Sequence, residues 1–132
     1  MSMGSHDKSN RKKHRFIHSF YYAISGIVVA VKAERNIKIH LTLSGVVIIF
    51  GFSLSITLME WLVVLIMVGG MLAAEMMNSA IERVVDLVTE DYHPLAKQAK
   101  DIAAGAVLFF AITSVLIGLL IFGPRLIDLF LH

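Results

Sequence analysis

A group of polar side chains interrupts a long apolar run in the segment AAEMMNSAIERVVD, residues 73–86. It supplies the carboxylates of Glu75, Glu82 and Asp86 and the amide of Asn78, at successive steps of three, four and four residues. Such steps return to nearly the same face of an α-helix, so these side chains are predicted to form one polar stripe. Carboxylates inside hydrocarbon are costly unless they are paired, hydrated or protonated, which makes them candidates for function.

The stripe, together with Glu34, contains the parts needed for phosphoryl transfer. Glu34 and Glu82 are predicted to lie at the same membrane boundary, and two carboxylates suit Mg²⁺, which binds proteins through one or two such groups and nucleotide phosphates. Glu75 is predicted to lie deeper, where a desolvated carboxylate can take the proton of a lipid alcohol. Phosphate charge could be neutralised by basic residues, of which the candidates are Arg15, Lys97 and Lys100.

Structural roles are the alternative for each stripe residue. Glu75 could be a neutral acid that joins helices, and Asn78 an interhelical hydrogen-bonding group. Glu82 could pair with a basic residue at the membrane surface, and Asp86 with Arg83 one turn away. A channel or scaffold whose acids line a hydrated path is therefore a competing class of function. The sequence has no GxxxxGK[ST] motif and no cysteine, which excludes a P-loop, disulfides and thiolate chemistry.

The composition is that of a membrane protein. Of 132 residues, 57% are hydrophobic, against roughly 45–50% in soluble domains, and the mean hydropathy is +0.76. The net charge is only +2, but basic residues cluster in a predicted tail, residues 1–14. Such a cluster favours contact with anionic lipid over nucleic-acid binding. Residues 1–6 resemble an expression tag and are left out of the fold prediction.

The spacing of apolar residues predicts an all-α integral membrane fold, with residues 15–132 as a single domain. Apolar side chains at three- and four-residue steps predict an amphipathic surface helix at about 15–33. A signal peptide is the alternative, but the segment Val31-Lys32-Ala33 is a poor cleavage site and further spans follow. Three spans are predicted at about 36–54, 59–88 and 95–123, with a short turn between the first two.

The distribution of charge predicts an orientation. Lysine and arginine residues cluster before the first span and between the second and third, which predicts a cytoplasmic N-terminus. If Trp61 marks the outer interface, Glu75 lies roughly 21 Å deeper, within the inner leaflet, and Glu82 lies near the cytoplasmic boundary. Small residues are predicted to permit close helix packing, and they are Gly69, Gly70, Ala73 and Ala74 on the second span and Ala103, Ala104, Gly105 and Ala106 on the third.

The segments EMMNSAIERVVD and EDYHPLAKQAKD resemble the small prokaryotic diacylglycerol kinase and undecaprenol kinase family. The likeness runs from about Arg15 to the end of the third predicted span. The resemblance implies a homotrimer of three-span subunits, each active site being shared between neighbouring chains. It also implies ATP as co-substrate, Mg²⁺ as cofactor and a lipid alcohol as acceptor, with no nucleic-acid partner.

The resemblance also implies roles for individual residues. Glu75 corresponds to the family's general base, supported by Asn78, while Glu34 and Glu82 correspond to its ligands for metal and nucleotide phosphate. Positions that match contacts to ATP are Arg15, Tyr22, Asp91, Tyr92, His93, Lys100 and Asp101. From the residues alone, Tyr22 could equally be an interfacial aromatic and His93 a helix cap.

The segment ERNIKIH, residues 34–40, suggests the branch of the family. Diacylglycerol-specific relatives have a second acid where His40 stands, whereas this pattern resembles the Gram-positive members associated with undecaprenol. The predicted function is transfer of the γ-phosphate of ATP to undecaprenol at the inner leaflet of the bacterial cytoplasmic membrane, giving undecaprenyl phosphate. Diacylglycerol kinase is the alternative, and His40 could instead be an interfacial histidine without any discriminating contact.

Overall fold

A computed structural model describes the backbone of residues 5–131 and the side chains of residues 17–131. This part of the chain forms four helices and no strand, and the helices are α1 (Ser5–Ala33), α2 (Arg35–Ser53), α3 (Leu58–Val88) and α4 (Pro94–Leu131). The last three are long and apolar enough to cross a membrane, and residues Ile17–Ala33 of α1 form a shorter apolar segment. The predicted all-α membrane fold with an additional N-terminal helix is confirmed.

The chain divides into two compact units, of which the first is α1. Its described side chains include a cluster of exposed aromatic rings. Tyr22 is 68% exposed, and its ring stacks 6.3 Å from that of His18 and meets the edge of Tyr21 at 5.8 Å. Aromatic rings with a polar tip are typical of a helix at a membrane interface.

In the second unit, which begins at Glu34, α2 and α4 each pack along α3. The contact between α3 and α4 depends on a small residue: a Cβ atom added at Gly70 would lie 2.2 Å from the Phe110 ring. The neighbouring Gly69 would meet nothing within 4 Å. Of the small residues predicted to permit close packing, Gly70 therefore contributes directly to the contact between these two helices.

A tight turn joins α2 to α3. Ser55 adopts a left-handed conformation there with φ 48°, and Ile56 turns inward to pack with Val64 and Ile121. Thr57 caps α3 in a capping box: its hydroxyl accepts from the Glu60 amide, and the Glu60 carboxylate accepts from the Thr57 amide. These contacts satisfy amide groups that a helix start otherwise leaves unpaired.

Helix α4 begins at Pro94, which suits the first turn because that position needs no amide donor. The helix continues beyond the predicted end at residue 123, through Pro124, to Leu131. Arg125 braces this final part. Its guanidinium binds both carboxylate oxygens of Glu60, at 2.8 and 2.7 Å, and donates to the Ile121 carbonyl at 2.7 Å.

Candidate active site

The polar stripe on α3 runs from the interior of the unit to its surface. Glu75 and Asn78 are buried at 3% and 8% exposure, Glu82 is half-buried, and Asp86 is exposed. Each of the four side chains contacts another polar side chain. The stripe is thus a series of polar contacts whose access to solvent increases toward the C-terminal end of α3.

Glu75, the predicted general base, faces α2. The Nε2 atom of His40 lies 3.1 Å from its Oε1 atom. The two side chains differ in accessibility, because that of Glu75 is 4% exposed and that of His40 is 23% exposed. His40 therefore has a direct contact with the predicted base, a point on which the sequence left the question open.

Asn78 and Glu82 contact each other along α3, one turn apart. The Asn78 amide donates from Nδ2 to Glu82 Oε1 at 2.8 Å, which fixes the orientation of that carboxylate. The other side-chain atom, Asn78 Oδ1, is buried and has no hydrogen-bond partner among the described residues. Buried polar atoms in folded proteins nearly always have a hydrogen-bond partner. An unpaired one therefore marks a position where a further polar group is expected to bind.

Two further ion pairs connect α3 to its neighbours. Arg83 donates to Glu34 Oε1 at 2.8 Å, which joins the N-terminal end of α2 to α3. Asp86 pairs with Lys100 of α4. The predicted pairing of Asp86 with Arg83 is therefore wrong, because Arg83 reaches across to α2 and leaves Asp86 to the lysine of α4.

The predicted ATP-binding residues occupy the connection between α3 and α4 and the beginning of α4. Asp91 and Tyr92 are exposed, and the Asp91 amide donates to the Thr89 hydroxyl at 3.2 Å. His93 accepts the Leu95 amide at 3.2 Å, so it caps α4. Lys97 pairs with Asp101 one turn along the helix.

Two predicted ATP contacts belong to the other unit. Tyr22 lies on α1, in the aromatic cluster described above. The side chain of Arg15 lies outside the described residues. The roles assigned to both stay predictions.

Within residues 17–131, no three His, Cys, Asp or Glu side chains converge as a ready-made metal site. The predicted ligand set is smaller than that, two carboxylates completed by nucleotide phosphates. Glu82 fits such a set, since Asn78 binds only its Oε1 atom. Glu34 is 29% exposed but is paired with Arg83 through Oε1, so a metal would share that carboxylate with Arg83 or displace it. The oxygen donors present are those that a hard cation such as Mg²⁺ prefers.

An apolar cavity of about 380 Å³ lies beside the polar stripe, between α2, α3 and α4. His40 lines it, so one side chain touches both the cavity and Glu75. The rest of the wall is mainly aliphatic and aromatic, with representative residues Val47, Val64, Met71, Val115 and Phe122. The cavity has the chemical character of a site for a hydrocarbon chain.

Two functional contacts were not predicted: His40 with Glu75, and Arg83 with Glu34. The short turn between α2 and α3 is the sequence feature that indicates both contacts. It makes the two helices antiparallel, which brings the start of α2 beside the end of α3. That rule predicts which ends meet. It does not predict how each helix is rotated about its axis, and rotation decides which side chains touch.

The sequence matches the family described as prokaryotic diacylglycerol kinase over residues 21–122. An undecaprenol kinase of Bacillus subtilis is 46% identical over 94% of this chain and 100% of its own. A diacylglycerol kinase of Synechocystis is 41% identical over 84% of this chain and 64% of its own, and one of Pseudomonas aeruginosa is 32% identical over 75% and 80%. The resemblance inferred from the signature motifs is confirmed: the chain belongs to the prokaryotic diacylglycerol kinase family.

Proposed function

We propose that this protein transfers the γ-phosphate of ATP to the hydroxyl of a polyprenol, undecaprenol being the expected acceptor. The observation that carries the proposal is a buried carboxylate, Glu75, joined through His40 to an apolar cavity. A lipid alcohol needs both features, a base for its hydroxyl and an apolar surface for its chain. The neighbouring polar stripe supplies oxygen ligands for a metal–nucleotide complex.

The proposed reaction begins with the lipid hydroxyl near Glu75. The hydroxyl oxygen forms a bond to the γ-phosphorus while the bond from that phosphorus to the bridging oxygen of ADP breaks. The hydroxyl proton passes to the Glu75 carboxylate, which acts as general base. Burial of Glu75 excludes bulk water from the reacting atoms and so limits hydrolysis of ATP in place of transfer.

Glu34 and Glu82 are proposed to hold Mg²⁺ together with phosphate oxygens of ATP. When bound there, Mg²⁺ would neutralise charge on the phosphates. Asn78 orients Glu82 through its hydrogen bond to Oε1. Lys100 pairs with Asp86 and is proposed to bind a phosphate of ATP in place of that carboxylate.

The choice of undecaprenol over diacylglycerol is supported by the relative from Bacillus subtilis, which matches over nearly the whole chain and is named undecaprenol kinase. Other relatives are named diacylglycerol kinase, so diacylglycerol is the alternative acceptor. The apolar cavity suits an isoprenoid chain, because its only ionisable lining residue among those described is His40.

The proposal includes an assembly and a location. Homotrimers that share active sites between subunits would supply polar partners for Asn78 Oδ1 and further groups for ATP. The site would face the cytoplasm from the inner leaflet of the bacterial cytoplasmic membrane, with the N-terminus on the same side. The basic residues near the chain start favour that orientation.

In the direct test, purified protein in mixed micelles is incubated with ATP, Mg²⁺ and either undecaprenol or diacylglycerol. The phosphorylated lipid is followed by mass spectrometry. The expected result is phosphate mainly on undecaprenol. Preference for diacylglycerol would support the kinase chemistry but reject undecaprenol as the acceptor. A folded oligomer that phosphorylates neither lipid would leave the channel or scaffold interpretation of the stripe.

The cavity has its own test. Gly118 lines the cavity, and a Cβ atom there meets nothing within 4 Å, so Gly118→Leu should fold and fill part of the space. We expect it to raise the KM for undecaprenol more than that for a short prenol. Gly105→Leu is the matched control on the same helix, also in open space but away from the cavity. Loss of trimers instead of a changed KM would show that a neighbouring subunit occupies the cavity.

A further inference from the structure

The contact between Glu75 and His40 bears on how the proton of the lipid hydroxyl leaves the site. Once Glu75 has accepted a proton from the lipid hydroxyl, that proton must leave before another turnover. Glu75 is almost completely enclosed, with its side chain 4% exposed. A group that connects it to solvent is therefore needed.

His40 has the position and chemistry to provide that connection. Its Nε2 atom lies 3.1 Å from Glu75 Oε1, within the distance over which an acid and a base exchange a proton. Its side chain is 23% exposed, against 4% for that of Glu75, and it lies in the second turn of α2, close to the charged residues at the start of that helix, Glu34, Arg35 and Lys38. Imidazole gains and loses protons near neutral pH, which no other common side chain does when unperturbed.

Among the residues that line the cavity, His40 is the only ionisable one. From α3, His40 faces Glu75, and the α3 residues that line the cavity beside it are apolar, such as Met67 and Met71. From α4, the cavity lining contributes Ser114 and Ala111 near the middle of the helix, neither of which is charged. On α2 itself, the Ser44 hydroxyl donates to the His40 carbonyl and leaves the ring uninvolved.

We propose that His40 accepts from Glu75 the proton taken from the lipid alcohol, an inference that rests on the proposed function. In this step the O–H bond of the protonated Glu75 breaks at Oε1 and an N–H bond forms at Nε2. The carboxylate is restored and the imidazole becomes an imidazolium, so charge is conserved. The imidazolium then releases a proton to water. His40 acts through Glu75 and is thus a positioning residue with a proton-carrying role.

Two substitutions separate this role from packing. His40→Gln keeps an amide that can form a hydrogen bond near the place of Nε2 but cannot take up a proton. His40→Ala removes the ring and leaves space beside the cavity for free imidazole. Thr42→Val is the matched control on α2, because Thr42 is exposed and its hydroxyl bonds only within its own helix, to the Lys38 carbonyl.

The full chain is assayed in micelles with ATP, Mg²⁺ and undecaprenol, and unfolding midpoints are measured for every variant. We expect both His40 variants to lose about 10²-fold in kcat while the KM for ATP stays unchanged. Added imidazole should restore turnover to His40→Ala but not to Glu75→Gln, since in the latter the first proton acceptor is missing. Thr42→Val should match the wild type.

A purely structural role for His40 predicts different results. His40→Gln would then turn over like the wild type, or folded His40→Ala would not respond to imidazole, and either result overturns the inference. If His40→Ala fails to fold, the rate of His40→Gln decides. A working wild type with unaffected His40 variants rejects this inference alone, whereas a wild type that phosphorylates no lipid rejects the proposed function as well.

Discussion

Helix α3 carries one acid near its start, Glu60, and one near its middle, Glu75, and each of them contacts another helix. Near the start of the helix, Glu60 Oε1 accepts from Arg125, and Oε2 accepts from Arg125 and from the amide and hydroxyl of Thr57. Near the middle of the helix, the more deeply buried Glu75 has a contact with His40 at 3.1 Å. One carboxylate is saturated with donors and the other is not.

This difference separates a carboxylate that stabilises from one that can react. A base must have a lone pair available for the incoming proton, and four donors at Glu60 leave little capacity for one. Glu75 is held in a costly environment with fewer compensating contacts, which is common where proteins give up stability for function. The nearby Asn78 Oδ1, buried without a partner among the described side chains, belongs to the same pattern.

The strongest way to test this comparison is to neutralise each acid without changing its shape. Glu75→Gln should reduce kcat by about 10²- to 10⁴-fold, because an amide cannot accept the hydroxyl proton. Its unfolding midpoint should stay at or above that of the wild type, since a buried charge is removed. Both quantities are measured in the same micelles, by lipid phosphorylation and by thermal unfolding.

Glu60→Gln is the matched control and should behave in the opposite way. It weakens the bidentate pair with Arg125 and the capping box, so the unfolding midpoint should fall. At a temperature where the variant is folded, its turnover should stay within about twofold of the wild type. Glu60 is not the proposed general base, and loss of a general base would lower turnover far more. Equal losses of turnover in the two variants would contradict the division between a stabilising acid and a reacting one.

A second test concerns the support of Glu82 by Asn78. Asn78→Ala removes the donor at 2.8 Å and should lower activity by about 10- to 100-fold, as is usual for residues that orient a metal ligand. Asn78→Asp should be worse, because a second carboxylate would face Glu82 Oε1. The check is the Mg²⁺ concentration for half-maximal rate, which should rise in both variants. An unchanged Mg²⁺ requirement with normal activity would assign Asn78 to packing.

Much of this site could be predicted from the sequence because helix periodicity is a local property. The steps from Glu75 to Asp86 fix one face of a helix whatever packs against it. The apolar lengths fix which segments are long enough to span a membrane, and a signature spread over two segments identifies the family. The depth of Glu75 in the membrane, counted from Trp61, stays a prediction.

The contacts across helices could not be predicted in the same way. Arg83 is near Asp86 in sequence, yet it pairs with Glu34, because the side chain projects toward α2. Arg125 of α4 binds Glu60 of α3, although the two are 65 residues apart in the sequence. Such pairs depend on helix rotation and on packing distance, which single-sequence patterns do not encode.

A third test moves between the two ends, to the contact of α3 with α4. Gly70→Ala places a Cβ atom 2.2 Å from the Phe110 ring, so it should destabilise the protein by about 1–3 kcal/mol through overpacking. Gly69→Ala has open space and should instead be neutral or stabilising by about 0.5–1 kcal/mol, since alanine favours helix. Changes in stability of opposite sign at Gly70 and Gly69, measured by unfolding in micelles, would show that the contact between α3 and α4 lies at Gly70. Equal effects would mean that Phe110 moves freely.

The smallest expected effect lies at the cap of α3. Thr57→Ala removes one acceptor for the Glu60 amide, at 3.3 Å, and one donor to its carboxylate, and should cost about 1 kcal/mol of stability. Arg125 still binds both oxygens of Glu60, so turnover should not change. Thr42→Ala is the control: its hydroxyl bonds a carbonyl within α2, where such bonds add little to helix stability. If Thr42→Ala lost more stability than Thr57→Ala, the start of α3 would owe its stability to Arg125 and not to the capping box.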